Sequence, residues 1–279
     1  MTARAVRIGA LARLELADVR GSRWLAVCAG LYAVLAASFV LIGLRESEVV
    51  GFTGMTRVLG SLAHALVVLL PLLALAGTGL VVNRAREGGA LELLLSHPFT
   101  RGEYIVAVTL VRFGALLVPL LVLLPGLALA GGVADRTLPW AFLVRTLAVS
   151  ATLIWAFVGI GLAISTAVRE PARAIVYVLA AWALGVALLD FGLIGAMLQW
   201  RLRPEAVFAL AALNPVESAR LALLAGADGS LETLGPVGVF LVRQVGAGGL
   251  FAAGVIWPAA VGTLAWLLAW RRLNRMDVV

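Results

Sequence analysis

The sequence contains no lysine: all 22 of its basic residues are arginine. A phosphate-binding P-loop uses a lysine to reach the β- and γ-phosphates, so this chain cannot carry one, and lysine Schiff-base chemistry is excluded with it. Any ATP that drives this protein must be bound by another chain. Charge is scarce altogether, at 13% of 279 residues against roughly 25% in a soluble globular domain. The single cysteine, Cys28, lies inside an apolar run. It permits no intrachain disulfide and no thiolate metal cluster, and it reads as a small packed hydrophobe. The two histidines are separated, His64 in an apolar stretch and His97 in a polar loop, and Met1, Met55, Met197 and Met276 are dispersed. No paired histidines, methionine ladder or Cys-x-x-Cys supplies a route for copper or zinc. Ser96 and Ser165 lack a local base or a nucleophile elbow. The expectation is a non-catalytic chain with no metal and no cofactor of its own.

Apolar residues dominate instead. They are 62% of the chain, where about 45–50% is usual for soluble domains, and the mean hydropathy is +1.05. Six stretches reach the roughly 20 residues needed to cross a bilayer: 24–44, 58–82, 105–131, 138–168, 174–200 and 245–270. The first is too long for the 7–15 residue core of a signal peptide and is expected to remain as a helix. Pro71, Pro119, Pro125 and Pro258 fall inside spans, where neighbouring helices re-satisfy the freed carbonyls. A break near Gly159 and Gly161 is expected in the fourth. The fold class is therefore all-α, a polytopic membrane protein of six transmembrane helices forming one domain over 1–279.

The net charge of +7 and the pI of about 11.1 would suit nucleic acid, but the arginines are scattered between apolar runs and form no stripe. They act as a topology signal. Thirteen arginines fall in 1–23, 83–104, 169–173 and 271–279, and seven in the longer opposite set 45–57, 132–137 and 201–244. Both termini are expected in the cytoplasm, with no nucleic-acid partner and with Trp24, Trp140, Trp200 and Trp270 as interfacial anchors.

Three segments outside the spans carry further signals. Residues 4–20 read as an interfacial helix, with Ile8, Ala12, Leu16 and Val19 on one stripe and Arg4, Arg7 and Asp18 pointing elsewhere. Residues 83–104, NRAREGGALELLLSHPFTRGEY, place Leu91, Leu94 and Leu95 on one face of a short helix, with Glu87 and Glu92 facing water and Pro98 ending it. Such a short helix is unstable alone and needs either the bilayer or a partner protein to dock on. Residues 201–244 read as an external excursion. In it Asn214 is an N-cap, Pro215 suits the first helical position, Glu217 completes a capping-box-like start and Arg220 pairs with Glu217 one turn on. Within the spans, Arg112 is placed to snorkel toward the cytoplasm, and Arg145 and Asp190 share a depth at which they could pair and lock two helices together.

The stretch Glu87-Gly-Gly-Ala-Leu-Glu-Leu-Leu-Leu, followed by Pro98-Phe99-Thr100-Arg101, resembles the first cytoplasmic loop of the ABC type-2 permeases. Six spans with both termini inside extend the resemblance over nearly the whole chain. Where such permeases often carry a lysine after the loop arginine, this chain has Val108, with Arg112 one turn on. Gly51-Phe52-Thr53 and the stretch from Leu213-Asn214-Pro215 to Arg220 resemble the branch of the family associated with assembly of the nitrous-oxide-reductase copper centre. The resemblance implies a homodimer and a separate cytoplasmic ABC ATPase bound to a coupling helix within 87–101. Glu87, Leu91, Glu92, Leu94, Leu95, Pro98 and Arg101 become the coupling residues, with the three leucines as the docking face. It also implies that residues 4–20 lie on the inner leaflet, and that 201–244, with Asn214, Pro215, Glu217 and Arg220, engages a periplasmic maturation protein. An exporter of lipid, drug or peptide is the alternative within the class. A stand-alone secondary transporter would need matching broken helices or inverted repeats, which the sequence does not display.

Overall fold

The computed structural model describes residues 3–45, 53–133, 140–188, 213–228 and 235–276. Every regular element among them is a helix. In chain order these are α1 (Ala3–Gly21), α2 (Arg23–Arg45), α3 (Thr53–Thr78), α4 (Val81–Glu87), α5 (Ala90–Leu95), α6 (Arg101–Val133), α7 (Trp140–Ala167) and α8 (Pro171–Ala183). A π-helical turn at Leu184–Leu188 continues α8, and α9 (Pro215–Asp228) and α10 (Gly235–Arg275) follow. Among the described residues, four stretches are long and apolar enough to cross a membrane: His64–Glu87, Arg101–Gly126, Trp140–Ala167 and Gly246–Arg275. The apolar helical stretches Arg23–Leu35 and Pro171–Val186 fall within the first and fifth expected spans, and the helix that holds the first runs on to Arg45. Residues 189–212 lie outside the described residues, so Asp190 and Trp200 do too.

The bundle is organised around α7, which packs against α3, α6, α9 and α10. Its interior side chains, Val149, Leu153, Ile154, Phe157 and Leu162, are fully or almost fully buried. The expected break at Gly159 and Gly161 is absent, and α7 runs unbroken from Trp140 to Ala167. These glycines serve close approach instead. A Cβ on Gly159 would run into the Gly262 carbonyl of α10, and one on Gly161 into the Thr78 hydroxyl of α3. The reciprocal Gly262 position would place a Cβ 2.7 Å from Ala156 Cα. Small residues bring helix backbones together where a bilayer provides no hydrophobic force between helices.

Of the segment 201–244 expected to be external, the described residues include α9 and the start of α10. The helix α9 packs against α3, α7 and α10, and Val216, Ala219, Ala222 and Leu223 are buried. A Cβ on Gly254 of α10 would lie 2.5 Å from Ser218 O, so α9 and α10 touch backbone to backbone. The polar residues that suggested an aqueous segment are the capping groups of a helix held inside the bundle. The helix α10 is kinked at Gly246, whose φ of 71° and ψ of 159° belong to a region only glycine enters easily.

Substituting Gly159→Leu places a side chain against a backbone carbonyl that cannot yield, and overpacking of this kind costs about 1–3 kcal/mol or more. We expect a lower thermal midpoint in detergent and a reduced monodisperse fraction. Gly30→Ala, at a site with nothing within 4 Å of a Cβ, should leave both unchanged.

Candidate functional site

The segment between α3 and α6 is the most elaborately tied part of the molecule. It leaves α3 through Gly79 and Leu80, forms α4, turns at Gly88 and Gly89, forms α5 and returns to α6 at Arg101. Gly89 adopts φ 67°, a left-handed conformation that favours glycine, and its carbonyl accepts from Leu93 N at 3.1 Å. Six residues of helix hold together only by docking. Leu91 is 3% exposed, and Leu94 and Leu95 pack against the same core. The three leucines expected to form an outward docking face therefore turn into the bundle. Their i, i+3, i+4 spacing defines an apolar face correctly, but the surface it needs is the protein's own. The outer face carries Glu92, Leu93, Ser96, His97 and Pro98, with Leu93 66% exposed and Glu87 also at the surface. Ser96 Oγ donates to Leu93 O at 2.7 Å, and His97 Nδ1 lies 3.0 Å from the same carbonyl, which ends α5 before Pro98.

Polar side chains fasten this segment at both ends. Asn83 of α4 is fully buried; its Nδ2 donates to Val168 O and, at 3.4 Å, to Arg169 O beyond the end of α7. Its Oδ1 accepts from Ser165 Oγ at 2.7 Å, and that hydroxyl accepts from Val82 N at 2.9 Å. At the other end Arg101 Nη1 donates to Leu273 O, Asn274 O and Met276 O at 3.2, 3.1 and 2.6 Å. Arg101, implied by the resemblance to serve an ATPase, is thus the C-cap of α10, where a cation also suits the negative end of the helix dipole. Arg86 Nη2 reaches Met276 Sδ at 3.2 Å.

The start of α6 is a capping box that the sequence already spelled as Thr100-x-x-Glu103. Thr100 N donates to Glu103 Oε2 at 2.9 Å, and Glu103 N to Thr100 Oγ1 at 3.2 Å. Glu103, 1% exposed, has a second role, since its Oε1 takes Arg7 Nη2 at 2.8 Å and Arg7 Nε at 3.0 Å. One helical stretch further on, Arg112 is 7% exposed and does not snorkel. Its Nη2 lies 3.2 Å from Asp18 Oδ2 and 3.6 Å from Glu15 Oε2, and its guanidinium sits 5.3 Å from the Trp24 ring centroid. Burial pushes the Glu15 carboxyl above the usual range; Arg112 opposes the shift and Asp18 adds to it.

These pairs rotate α1 relative to the expected stripe. Leu11 and Val19 are buried with Arg7 and Glu15 beside them, while Leu16 is exposed and Asp18 turns to α6. Hydropathy alone misplaces the face because the partner surface on α6 is charged.

At the start of α9, Asn214 is buried, its Nδ2 donating to Gly185 O at 2.7 Å and its Oδ1 accepting from Val216 N at 3.0 Å. Pro215 follows at the first helical position, and Glu217 Oε1 is 2.7 Å from Arg220 Nη1. Arg145 lies 5.7 Å from the Phe251 ring centroid on α10; its expected partner Asp190 is outside the described residues. Among the described residues, no group of three or more His, Cys, Asp or Glu side chains is placed to hold a metal ion.

An apolar helical bundle with four stretches long enough to cross a membrane and a short surface helix braced against one end fits a polytopic membrane protein. The chain matches the family described as ABC-2 family transporter protein over residues 9–278, and it belongs to that family. It is similar to a protein from Stutzerimonas stutzeri called probable ABC transporter permease protein NosY, 30% identical over 278 residues, 95% of this chain and 98% of that one. A protein of the same name from Pseudomonas aeruginosa is 30% identical over 275 residues, covering 94% and 97%. The chain is thus a membrane-embedded ABC transporter permease subunit.

The Arg7–Glu103 pair is open to a double-mutant cycle. Arg7→Gln and Glu103→Gln, alone and together, should give thermal unfolding energies that fail to add by about 1–2 kcal/mol, because either single change strands a group in the same network. Additive losses would show that the two side chains do not act on one another.

Proposed function

We propose that this permease couples ATP hydrolysis by a separate cytoplasmic ABC ATPase to work across the inner membrane, as a homodimer with both termini in the cytoplasm. The observation that carries the reading is the outer face of α5. Glu92, Leu93, Ser96, His97 and Pro98 stand at the surface of a helix too short to move independently of what holds it. An exposed leucine ringed by polar groups suits a protein partner, and the ATPase must be another chain because this one has no lysine for a P-loop. Closure of the ATPase dimer would press on α5, and Asn83 and Arg101 would carry the push to α7, α8 and α10.

We further propose a role in maturation of nitrous-oxide reductase. Gly51-Phe52-Thr53 and the Leu213–Arg220 stretch support it, as do relatives that bear the NosY name. A sulfur species, or mechanical work on a periplasmic maturation protein, fits this chain better than a copper ion, since the sequence supplies so few soft ligands. Because α9 packs inside the bundle, contact with that periplasmic protein falls to other residues of 201–244.

Affinity purification of the tagged chain from its native membranes under mild detergent should recover a P-loop ATPase. Leu93→Asp should lower that recovery at least about tenfold, the scale of losing one buried interface anchor. Leu91→Ala should instead lower folded yield. A clean preparation of folded wild-type chain without any ATPase would overturn the coupling reading. Deleting the chain in its host and measuring copper in nitrous-oxide reductase tests the finer one: unchanged copper content would reject it.

A further inference from the structure

Between α1, α3, α6 and α8 lies a cavity of about 970 Å³, large enough for a sizeable ligand. Its lining has two characters. On the α1 side it is charged: Glu15, Asp18 and Arg112 meet there, and Arg23 and Arg84 add two guanidinium groups. Along α3 and α8 it is aliphatic, with Leu72, Leu75, Ile175 and Leu179, and the last two are exposed. A charged end joined to an apolar wall matches an amphiphile, and α1 is the helix expected to lie along the membrane surface.

The charged end is incomplete as it stands. One guanidinium, Arg112, serves two carboxylates, so the trio carries one excess negative charge. Arg112, more than nine-tenths buried, keeps its Nε without a hydrogen-bond partner, and Glu15 Oε2 is buried with no donor closer than Arg112 at 3.6 Å, too far for a hydrogen bond. The cluster is one acceptor and one donor short. Burial raises the Glu15 carboxyl, Arg112 opposes the shift and the neighbouring Asp18 charge adds to it, so a cation placed between the two carboxylates would favour their charged forms. Asp18, its side chain 73% exposed, presents the excess charge outward, and Arg23 and Arg84 present the opposite sign from the same cavity.

We propose that this cavity holds one ethanolamine phospholipid from the leaflet that carries α1. Its ammonium sits on the Glu15 and Asp18 carboxylates, its phosphate on the Arg23 and Arg84 guanidiniums, and an acyl chain runs along Leu72, Leu75 and Leu179. A primary ammonium donates hydrogen bonds to carboxylates, a choline headgroup has no N–H to donate, and a glycerol headgroup has no cation.

The test uses the full-length chain in mild detergent, titrated with synthetic ethanolamine, choline and glycerol phospholipids of identical acyl chains and read by native mass spectrometry. Wild type should bind the ethanolamine lipid about tenfold more tightly than the choline lipid, the scale of one charge-assisted hydrogen bond. Glu15→Gln should reduce that preference to about twofold or less. Asp18→Asn, at an exposed side chain, should reduce it in the same direction even where Glu15→Gln lowers folded yield. Leu179→Trp should lower occupancy by all three lipids. Equal binding of the three, preference for the glycerol lipid, no retained lipid at all, or an undiminished ethanolamine preference in both carboxylate variants would each overturn the proposal.

Discussion

A chain with so little charge cannot leave its buried polar groups to solvent, and that constraint decides how the helices are joined. The magnitudes separate the pairs that matter from those that do not. Glu170 and Arg173, both largely exposed, form an ion pair at 2.7 Å that is worth about 0–1 kcal/mol at most. Glu103 is buried but its partner Arg7 is partly exposed, so losing the pair costs less than the ~3–5 kcal/mol of a fully buried one while still exceeding that of an exposed pair. The same logic applies to Arg112 and, with smaller penalties, to the neutral amides of Asn83 and Asn214. Each of these residues connects elements that are distant in sequence, so the satisfaction of polar groups and the assembly of the bundle are one event.

The consequence for the surface helix α5 is mechanical. Through Asn83 it is bound to the end of α7 and the start of the turn into α8; through Arg101 it is bound to the last carbonyls of α10. Glu103, just beyond, holds Arg7 of α1. A force on the loop thus reaches α1, α7 and α10 through hydrogen bonds that would have to break before the loop could flex alone. Gly88 and Gly89 permit the reversal between α4 and α5, but the left-handed φ of Gly89 fixes its direction.

Much of this was legible in the sequence where the signal is local. The helical nature of 4–20, the short helix with its leucine face, the stop before Pro98 and the capping of α9 by Asn214 all follow from periodicity and cap chemistry, and they appear as α1, α5 and α9. What periodicity leaves open is which surface a face meets. Leu91, Leu94 and Leu95 dock inward, and α1 turns Arg7 and Asp18 toward α6, because the partner lies about a hundred residues away in sequence and is charged. The packing of α9 was hidden for a related reason: Asn214, Glu217 and Arg220 suggest a solvated helix when counted singly, whereas here they are paired and buried against neighbouring helices. Glu103 is a different omission, since the Thr100-x-x-Glu103 box is a local signal that could have been read directly.

Two irregularities of the bundle resolve each other. The π-helical turn after α8 and the start of α9, with its orphan backbone N–H groups, meet beside Phe157 of α7. Irregular backbone at membrane depth survives only where protein surrounds it. Here one side chain serves both defects: Asn214 donates to Gly185 O in the π turn and accepts the Val216 N–H at the open end of α9. Trp257 of α10 donates to Leu213 O at 2.8 Å and closes the remaining side. Asn214 thus ties the two segments to each other, and displacing α9 would remove this amide from Gly185 O and from the first turn of α9 together. Among the described residues, one polar junction binds the surface loop to α1, α7 and α10, and another binds the turn after α8 to α9. Both rest on α7, whose glycines let α3 and α10 approach closely enough for either to form.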